Sequence, residues 1–594
     1  MKVSLFDNPD RLKGYLKERG EAVTVLSFDR DLVIDQARHR LVFPKPCLPE
    51  EKLPIIEAYV EAVSEIGDQN GYSLAWLCHP ISEKNELMPE NLLDQLVDFL
   101  AFHRTFGGSN ADELAVISGS SELLGNIAAF CQSRGVTVCS RLSRRPRPLF
   151  LRRLASCLFS SLALAKKILT AGTGPLSWKK LDRAAGYSVI RTWFDQRSAA
   201  MISQDKDTYF GELPGRLKAG GRHVLYYGEI INADPRKVRQ DLGSLPSGRV
   251  LLERTLLGWA DLIRIVWFTL TCRARVRLSG QIMLQGVDVG PVFRNYMGLP
   301  RLDHALAANY ATYLAAKKLV NKVQIKEFFN LYENYSWEKV TNLAVKQSGK
   351  RVRLIAFQHA QIAASSTKFF LGKKESERLP LPDKIITLGE VTSGHLVRAM
   401  NYPAARTVAG CALRHSYGRS SGSVARPASK RVLVFLWTFE RSLEMLRFIK
   451  ASRLAEAGYD VVVSPHPNHP YEKLKPYLGF DDQGAYTVSR AGLKENIDAA
   501  MVVVYSGTTT CLDALASGRP VISVDFNDFI DPDPLFGLAE FKWTVSSPEA
   551  LSPVVKSIEA MADADYYSAQ AKAMDFVGSY FRPVDQENLK VFLN

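Results

Sequence analysis

RVLVFLWTFERSLEMLRFIKASRLAEAGYDVVVSPHPNHP (Arg431–Pro470) and MVVVYSGTTTCLDALASGRPVISV (Met501–Val524) decide the fold of this chain. Arg431–Leu436 is a short apolar run, Glu440–Glu456 carries apolar residues at helical spacing, and Gly458 is a helix stop. Asp460–Val463 reads as a second strand, followed by a PHPNHP turn. Asn496–Ala500 closes a helix, and Met501–Tyr505 is an apolar strand. The SGTTT turn opens a helix through Cys511–Ala516, Gly518–Pro520 ends it, and Val521–Val524 is the next strand. Strands apolar on both faces, alternating with helices, are what a parallel sheet covered on both sides requires. The expectation is an α/β, doubly wound domain over 431–575, with a tail at 576–594.

The same alternation extends upstream. LAVISGSSELLGNIAAFCQSRGVTVCS (Leu114–Ser140) is a strand, a helix over Glu122–Arg134 and a strand over Val136–Cys139, with Gly135 between them. With a strand at Ala22–Phe28 and a helix at Leu92–Phe102, residues 1–140 form an N-terminal α/β region. Across 184–415 strands are expected at Val224–Tyr227, Val352–Phe357, Ile385–Leu388 and Thr407–Ala409. Gln324–Asn330 and Trp337–Lys346 read as helices. A polar stretch at 416–430 has the composition of a linker. Two α/β halves joined in this way predict a cleft between two Rossmann-like domains.

Charge is unevenly spread. Of a net +14, the segment 141–183 carries +10: eleven basic residues against the single acid Asp182. After Pro146 and Pro148 this segment turns helical, with Leu151, Leu154, Leu158, Leu162 and Leu169 at helical spacing and cationic pairs at both ends. It reads either as an amphipathic helix packed on a domain or as one lying on an anionic membrane surface. Nucleic acid is not expected, because the belt has few aromatics and no base-reading module beside it. No apolar run reaches spanning length. The eight cysteines form no CxxC pair, and the first residues lack an apolar signal core, so a cytoplasmic location is expected.

The chemistry concentrates at two turns 40 residues apart. Ser506-Gly507-Thr508-Thr509-Thr510 joins a strand to a helix, offering backbone N–H groups, four hydroxyls and a glycine where a phosphate can approach. His466-Pro467, after the preceding strand, puts an imidazole at a strand's C-terminal end, where open α/β sheets gather ligands. Both turns also have structural readings, as a helix cap and as a rigid proline turn.

At these residues the chain resembles the C-terminal domain of GT-B glycosyltransferases of bacterial surface carbohydrate synthesis. That group includes capsule polysialyltransferases, Kdo transferases of capsule and O-antigen, and teichoic-acid glycerophosphotransferases. Upstream, YENYSWEKV (Tyr332–Val340), LIAFQHAQI (Leu354–Ile362) and LPDKIITLGE (Leu381–Glu390) resemble the N-terminal domain of such enzymes. Over roughly 190–575 the resemblance implies a GT-B fold facing a cleft. It implies donor-phosphate binding by His466, Pro467, Ser506, Gly507, Thr508, Thr509 and Thr510, and catalytic roles for Glu333, Glu338 or His359. Glu333 and Glu338, five apart in a stretch read as helical, would lie about 140° apart, so that one faces the cleft. Glu390 is a third carboxylate of interest. Two features depart from the pattern: no acidic-acidic-Gly motif is found, and Gly410–Arg414 lacks a Gly-x-Pro form.

The resemblance implies a nucleotide-sugar donor, CMP-linked, carrying Kdo or another nonulosonate. The acceptor is a lipid-linked glycan, no metal is needed, and the enzyme works at the inner face of the inner membrane. Metal-dependent GT-A chemistry needs Asp-x-Asp after a strand. The triplets at Asp29/Asp31, Asp205/Asp207, Asp531/Asp533 and Asp563/Asp565 read as chance, with only the first following a strand-like run. No P-loop or HExxH occurs, and the GxSxG at Gly418–Gly422 lies in the linker rather than between a strand and a helix. Two other readings stand beside the sugar transferase: a CDP-glycerol-type polyol-phosphate transferase, and a non-catalytic assembly protein with a GT-B-like fold.

Overall fold

The computed structural model describes residues 2–19, 21–29, 32–44, 47–107, 113–142, 149–171, 176, 178–182, 185–246, 248–414 and 424–594. Part of the basic belt, with Arg144, Arg145 and Arg147, lies outside the described residues, as do Asp31 and the Gly418–Gly422 motif. The chain divides into two compact units. The first is Met1–Ser203, Gly221–Leu354 and Phe370–Pro382; the second is Gln204–Gly220, Ile355–Phe369 and Asp383–Asn594. The fold is α/β throughout, with parallel sheets carrying the cores.

The first unit begins with a five-stranded parallel sheet of β1 (Lys2–Phe6), β2 (Thr24–Ser27), β3 (Arg40–Val42), β4 (Glu113–Ile117) and β5 (Thr137–Ser140), in the order β3-β2-β4-β1-β5. The strand–helix–strand unit read at 114–140 is present, its helix Ser121–Ser133 capped by Ser120, whose hydroxyl accepts from Leu123 N–H at 3.2 Å. Its two strands flank β1, which alternation does not reveal in so short a run.

A second parallel array holds β6 (Tyr187–Phe194), β7 (His223–Ile230) and β8 (Val250–Leu252). After a small hairpin of β9 (Met283–Leu284) and β10 (Val287–Asp288) comes β11 (Ile325–Leu331). Their order is β8-β7-β6-β11, which in chain order is 3-2-1-4. The helix expected at Gln324–Asn330 is therefore a strand. Phe328 and Phe329 are adjacent and both fully buried, a demand met by a strand covered on both faces; in so short an apolar run the helical period is not distinctive.

Residues 79–84 of the N-terminal region lock onto the same unit. The buried Lys84 ammonium donates to both Glu375 oxygens at 2.9 and 2.7 Å, Ser336 N–H donates to Glu83 at 3.1 Å, and Lys339 donates to the Ser82 carbonyl. The N-terminal region is thus built into the unit's interior rather than attached at its surface.

The second unit carries β12 (Arg353–Phe357, from Ile355 on), β13 (Lys384–Thr387) and β14 (Thr407–Ala409), which pair in parallel. Then follow β15 (Arg431–Phe435), β16 (Asp460–Ser464), β17 (Thr487–Val488), β18 (Val502–Tyr505), β19 (Val521–Val524) and β20 (Lys542–Val545). These six are all parallel in the order β17-β16-β15-β18-β19-β20, that is 3-2-1-4-5-6, the Rossmann order. Val432, Val434, Val463, Val502 and Val504 are buried against Leu446 and Ile449 of helix Phe439–Ser452 and Leu551 and Val555 of helix Pro548–Glu559. Each such side chain contributes about 1.5–3 kcal/mol of burial. The tail returns to β13 and β14: Ala412 N–H donates to Arg582 O at 2.9 Å, Arg582 N–H to Leu388 O at 3.0 Å, and Phe592 meets Phe357 with ring centroids 5.4 Å apart.

Candidate functional site

In a 3-2-1-4-5-6 sheet the chain leaves β15 and β18 toward opposite faces, opening a crevice at their C-terminal ends. Tyr505 ends β18 and Ser506-Gly507 follow, both buried. Gly507 has φ +73°, and a Cβ there would lie 2.6 Å from the Trp437 ring, just past β15, and 2.9 Å from Pro532 Cβ. The glycine is required twice over, by its left-handed backbone and by its neighbours. Thr508 is buried, with its hydroxyl 3.0 Å from that of Thr510; Thr509 and Thr510 are half-buried. Helix Thr510–Ala516 follows, and its cap residue Thr509 makes no side-chain cap bond.

His466 lies beyond β16, one strand from β15. Register pairs Ser464 with Phe435 and Val504 with Val434, so the ends of β16 and β18 are level and about 10 Å apart by strand spacing. His466 is half-buried and Pro467 exposed. Asn468 N–H donates to His466 Nδ1 at 3.2 Å, which leaves the neutral ring its proton on Nε2. Burial, then the neighbouring His469, lowers the imidazole pKa, keeping it neutral: a hydrogen-bond donor rather than a cation.

Beside Ser506 and Gly507 a cavity of ≈ 410 Å³, counting its open mouth, runs along the ends of β18, β19 and β20. Its wall includes Asp525, Asp528, Asp531, Asp533 and Lys542. Asp533 is bound by Lys542 and accepts from the Tyr505 hydroxyl at 2.8 Å; Asp528 is bound by Arg441. Burial raises the Asp531 pKa, and its N–H is tied to Ser365 Oγ at 3.1 Å. The Asp531/Asp533 triplet thus lines the cavity although it follows its strand by seven residues, a spacing at which the sequence carries no signal. Carboxylates here suit the hydroxyls of a sugar or ribose; the hydroxyl- and imidazole-bearing edge suits phosphate.

His359 is buried in the same unit, its ring edge-on to Tyr209 with centroids 5.2 Å apart. Gln358 holds this strand end by accepting from Leu388 N–H at 3.4 Å and donating to the Ala360 carbonyl. Glu390 starts helix Glu390–Ala399 and is ion-paired to Arg582 at 3.0 Å.

In the first unit, Glu333 and Glu338 do not share a helix, contrary to expectation. Glu333 lies in the loop after β11, and Glu338 in the first turn of helix Ser336–Lys346. Glu338 is buried and turns back to accept from Glu333 N–H at 2.9 Å and Asn334 N–H at 2.7 Å, so it shapes the loop that presents Glu333. Burial, then the Glu333 charge, holds its pKa well above the usual carboxylate range. Glu333 is half-buried and stands at the switch point of the 3-2-1-4 array, between the ends of β6 and β11. Trp193, near the end of β6, and Trp337, four residues after Glu333, meet edge to face at 5.2 Å. A second cavity of ≈ 430 Å³ lies at the ends of β7 and β8, with Lys167, Glu229, Arg239 and Arg254 among its lining residues.

No family model matches the chain, and no curated protein does. Solved structures similar to it include a glycosyltransferase from Rickettsia africae ESF-5, at 10% identity over 68% of this chain and 98% of that one, TM-score 0.38. A UDP-GlcNAc 2-epimerase from Neisseria meningitidis bound to UDP-GlcNAc matches at 10% identity over 68% and 99%, TM-score 0.36. MurG from Acinetobacter baumannii matches at 9% identity over 68% and 98%, TM-score 0.36.

Proposed function

We propose that the chain is a GT-B glycosyltransferase that moves a sugar from a nucleotide donor to a lipid-linked glycan, with a CMP-linked Kdo or other nonulosonate as the donor. One observation carries the reading: the 3-2-1-4-5-6 order brings the Ser506–Thr510 turn, His466 and a hydroxyl-seeking acidic cavity to one edge of one sheet. In this reading the leaving phosphate is met by His466 Nε2–H and the hydroxyls and N–H groups of 506–510. These are neutral donors that need no reorganisation as charge develops. Asp525 and Asp528 accept from donor hydroxyls. Glu333 takes the acceptor proton, with Glu338 positioning it. Lys167 and Arg239 offer cations to an acceptor phosphate, Arg254 being held by Glu229 and Glu253 of the same cavity, and the basic segment 141–183 holds the enzyme at a membrane face.

The test is product mass. Full-length protein is incubated with a lipid-linked glycan extract and CMP-Kdo, CMP-sialic acid, CDP-glycerol or UDP-GlcNAc in turn. Gain of a nonulosonate with release of CMP is the expected result. Gain of glycerol phosphate from CDP-glycerol would replace the sugar donor by a polyol phosphate. Nucleotide binding without transfer to any acceptor would favour the assembly-protein reading.

A further inference from the structure

The amphipathic helix Leu149–Ala171 is packed the unexpected way round. Its buried face is small and partly polar: Cys157, Ser160, Ser161 and Leu164, with Ser156 Oγ donating to Pro300 O at 2.7 Å. Its bulky residues face outward, with Leu151, Leu154 and Leu158 exposed, Phe159 at 74% and Leu162 at 69%. A helix that served only as packing would bury its leucines.

Helix Trp259–Arg275 repeats the arrangement. Ile265, Phe268, Thr269 and Cys272 are buried, whereas Trp259 is 67% exposed, Ile263 71% and Trp267 64%, in a stripe that Leu270 extends. The two helices pack on each other and both pack on helix Asp303–Lys322, so each turns its opposite face outward. Phe268 stacks on Tyr310 of that helix at 3.9 Å. Among the described residues eighteen large hydrophobics are exposed, and nine of them lie on these two helices. That concentration far exceeds the single exposed hydrophobics normal on a soluble surface.

Charge says what covers this face. Helix Leu149–Ala171 contains no acidic residue, and the one acid of helix Trp259–Arg275, Asp261, is buried and ion-paired to Lys318 and, at 3.7 Å, to Arg264. Arg152, Lys166, Lys167, Arg264 and Arg275 are all exposed along the two helices. An apolar stripe with two tryptophans, flanked only by exposed cations, fits a headgroup boundary of negative charge. No helix among the described residues is long and apolar enough to cross a bilayer. We propose that the two helices together form one docking face that lies in the surface of an anionic lipid bilayer. The proposal rests on the membrane-facing part of the reading above and adds to it the second helix.

The test uses full-length protein without nucleotide, co-sedimented with vesicles of phosphatidylcholine alone or with roughly 30% phosphatidylglycerol. The wild type is expected to bind the mixed vesicles, and the W259S/I263S/W267S and L158S/F159S/L162S variants each to bind at least about tenfold less tightly. The R152Q/K166Q/R264Q variant should lose the preference for the anionic vesicles, with a loss of about tenfold or more. All substituted side chains are solvent-facing, so melting temperatures and circular dichroism should match the wild type. Wild-type binding by W259S/I263S/W267S would overturn the role of the second helix. A wild type that self-associates in solution, and variants that do not, would make the face a contact between copies and overturn the proposal. Absence of vesicle binding with nucleotide binding intact would overturn it while leaving the donor reading standing; loss of nucleotide binding alone would do the reverse.

Discussion

Replacing Gly507 by alanine should damage the site turn by an amount the geometry sets. At φ +73° any Cβ costs about 1–2 kcal/mol in backbone conformation. The new methyl would also sit 2.6 Å from the Trp437 ring and 2.9 Å from Pro532 Cβ, and moving them adds an overpacking cost of about 1–3 kcal/mol. The sum is about 2–5 kcal/mol. Gly537, at φ +81° with open space around it, carries the backbone cost alone and is the control. Urea unfolding of Gly507→Ala and Gly537→Ala, followed by circular dichroism, should therefore separate the two variants by about 1–3 kcal/mol. Nucleotide affinity should fall in Gly507→Ala only. Equal destabilisation of the two would mean that the turn is not held against Trp437 and Pro532, and the reasoning about the crevice would fail.

Other consequences follow from the same structure. Lys84→Met strands the buried Glu375 carboxylate and should cost about 3–5 kcal/mol, whereas Lys84→Met/Glu375→Leu should recover much of it; additive losses in chemical denaturation would refute the pair. Burial, then the Arg273 charge, pulls the His79 pKa from 6.5 to about 3, so between those values the unfolded chain takes up a proton that the folded chain does not. Stability should thus fall with decreasing pH in that window by about 1.4 kcal/mol per pH unit, and His79→Gln should lose that component of the slope in urea midpoints measured at several pH values. Glu333→Gln should lower kcat by about 10²–10⁴ with donor affinity retained, and an unchanged rate would remove Glu333 from catalysis.

Four strands of the C-terminal sheet, β15, β16, β18 and β19, are legible because they are short valine-rich runs set off by glycine, proline and helical spacing, whereas β17 and β20 carry no such run. Strands such as β1 and β8 are not, because they are stabilised by non-local partners and are too short, at five and three residues, for a period to stand out. β11 reads as a helix for a related reason: Ile325, Phe328 and Phe329 fall at i, i+3 and i+4, which satisfies a helix period over so few residues. At the candidate site, the place of His466 and the Ser506–Thr510 turn after strands is legible in the sequence. Asp531 and Asp533 reach the cavity only because a loop folds back. That Glu338, a catalytic candidate by sequence, accepts from two backbone N–H groups depends on a turn of the loop that the sequence does not show. The outward leucines of helix 149–171 could be read as amphipathic, but which face is buried depends on helices 259–275 and 303–322, far along the chain.

The most direct test of the account is thermal stabilisation by CMP, CDP, UDP and GDP, measured side by side on the wild type and His466→Ala. Ligand at a hundred times its dissociation constant adds about 2.7 kcal/mol, an easily resolved shift. The account predicts stabilisation of the wild type by CMP above the others, lost in His466→Ala. Stabilisation by UDP or GDP instead would contradict the donor assignment, and no shift with any nucleotide would contradict the claim that the crevice beside Ser506 and Gly507 binds a nucleotide at all.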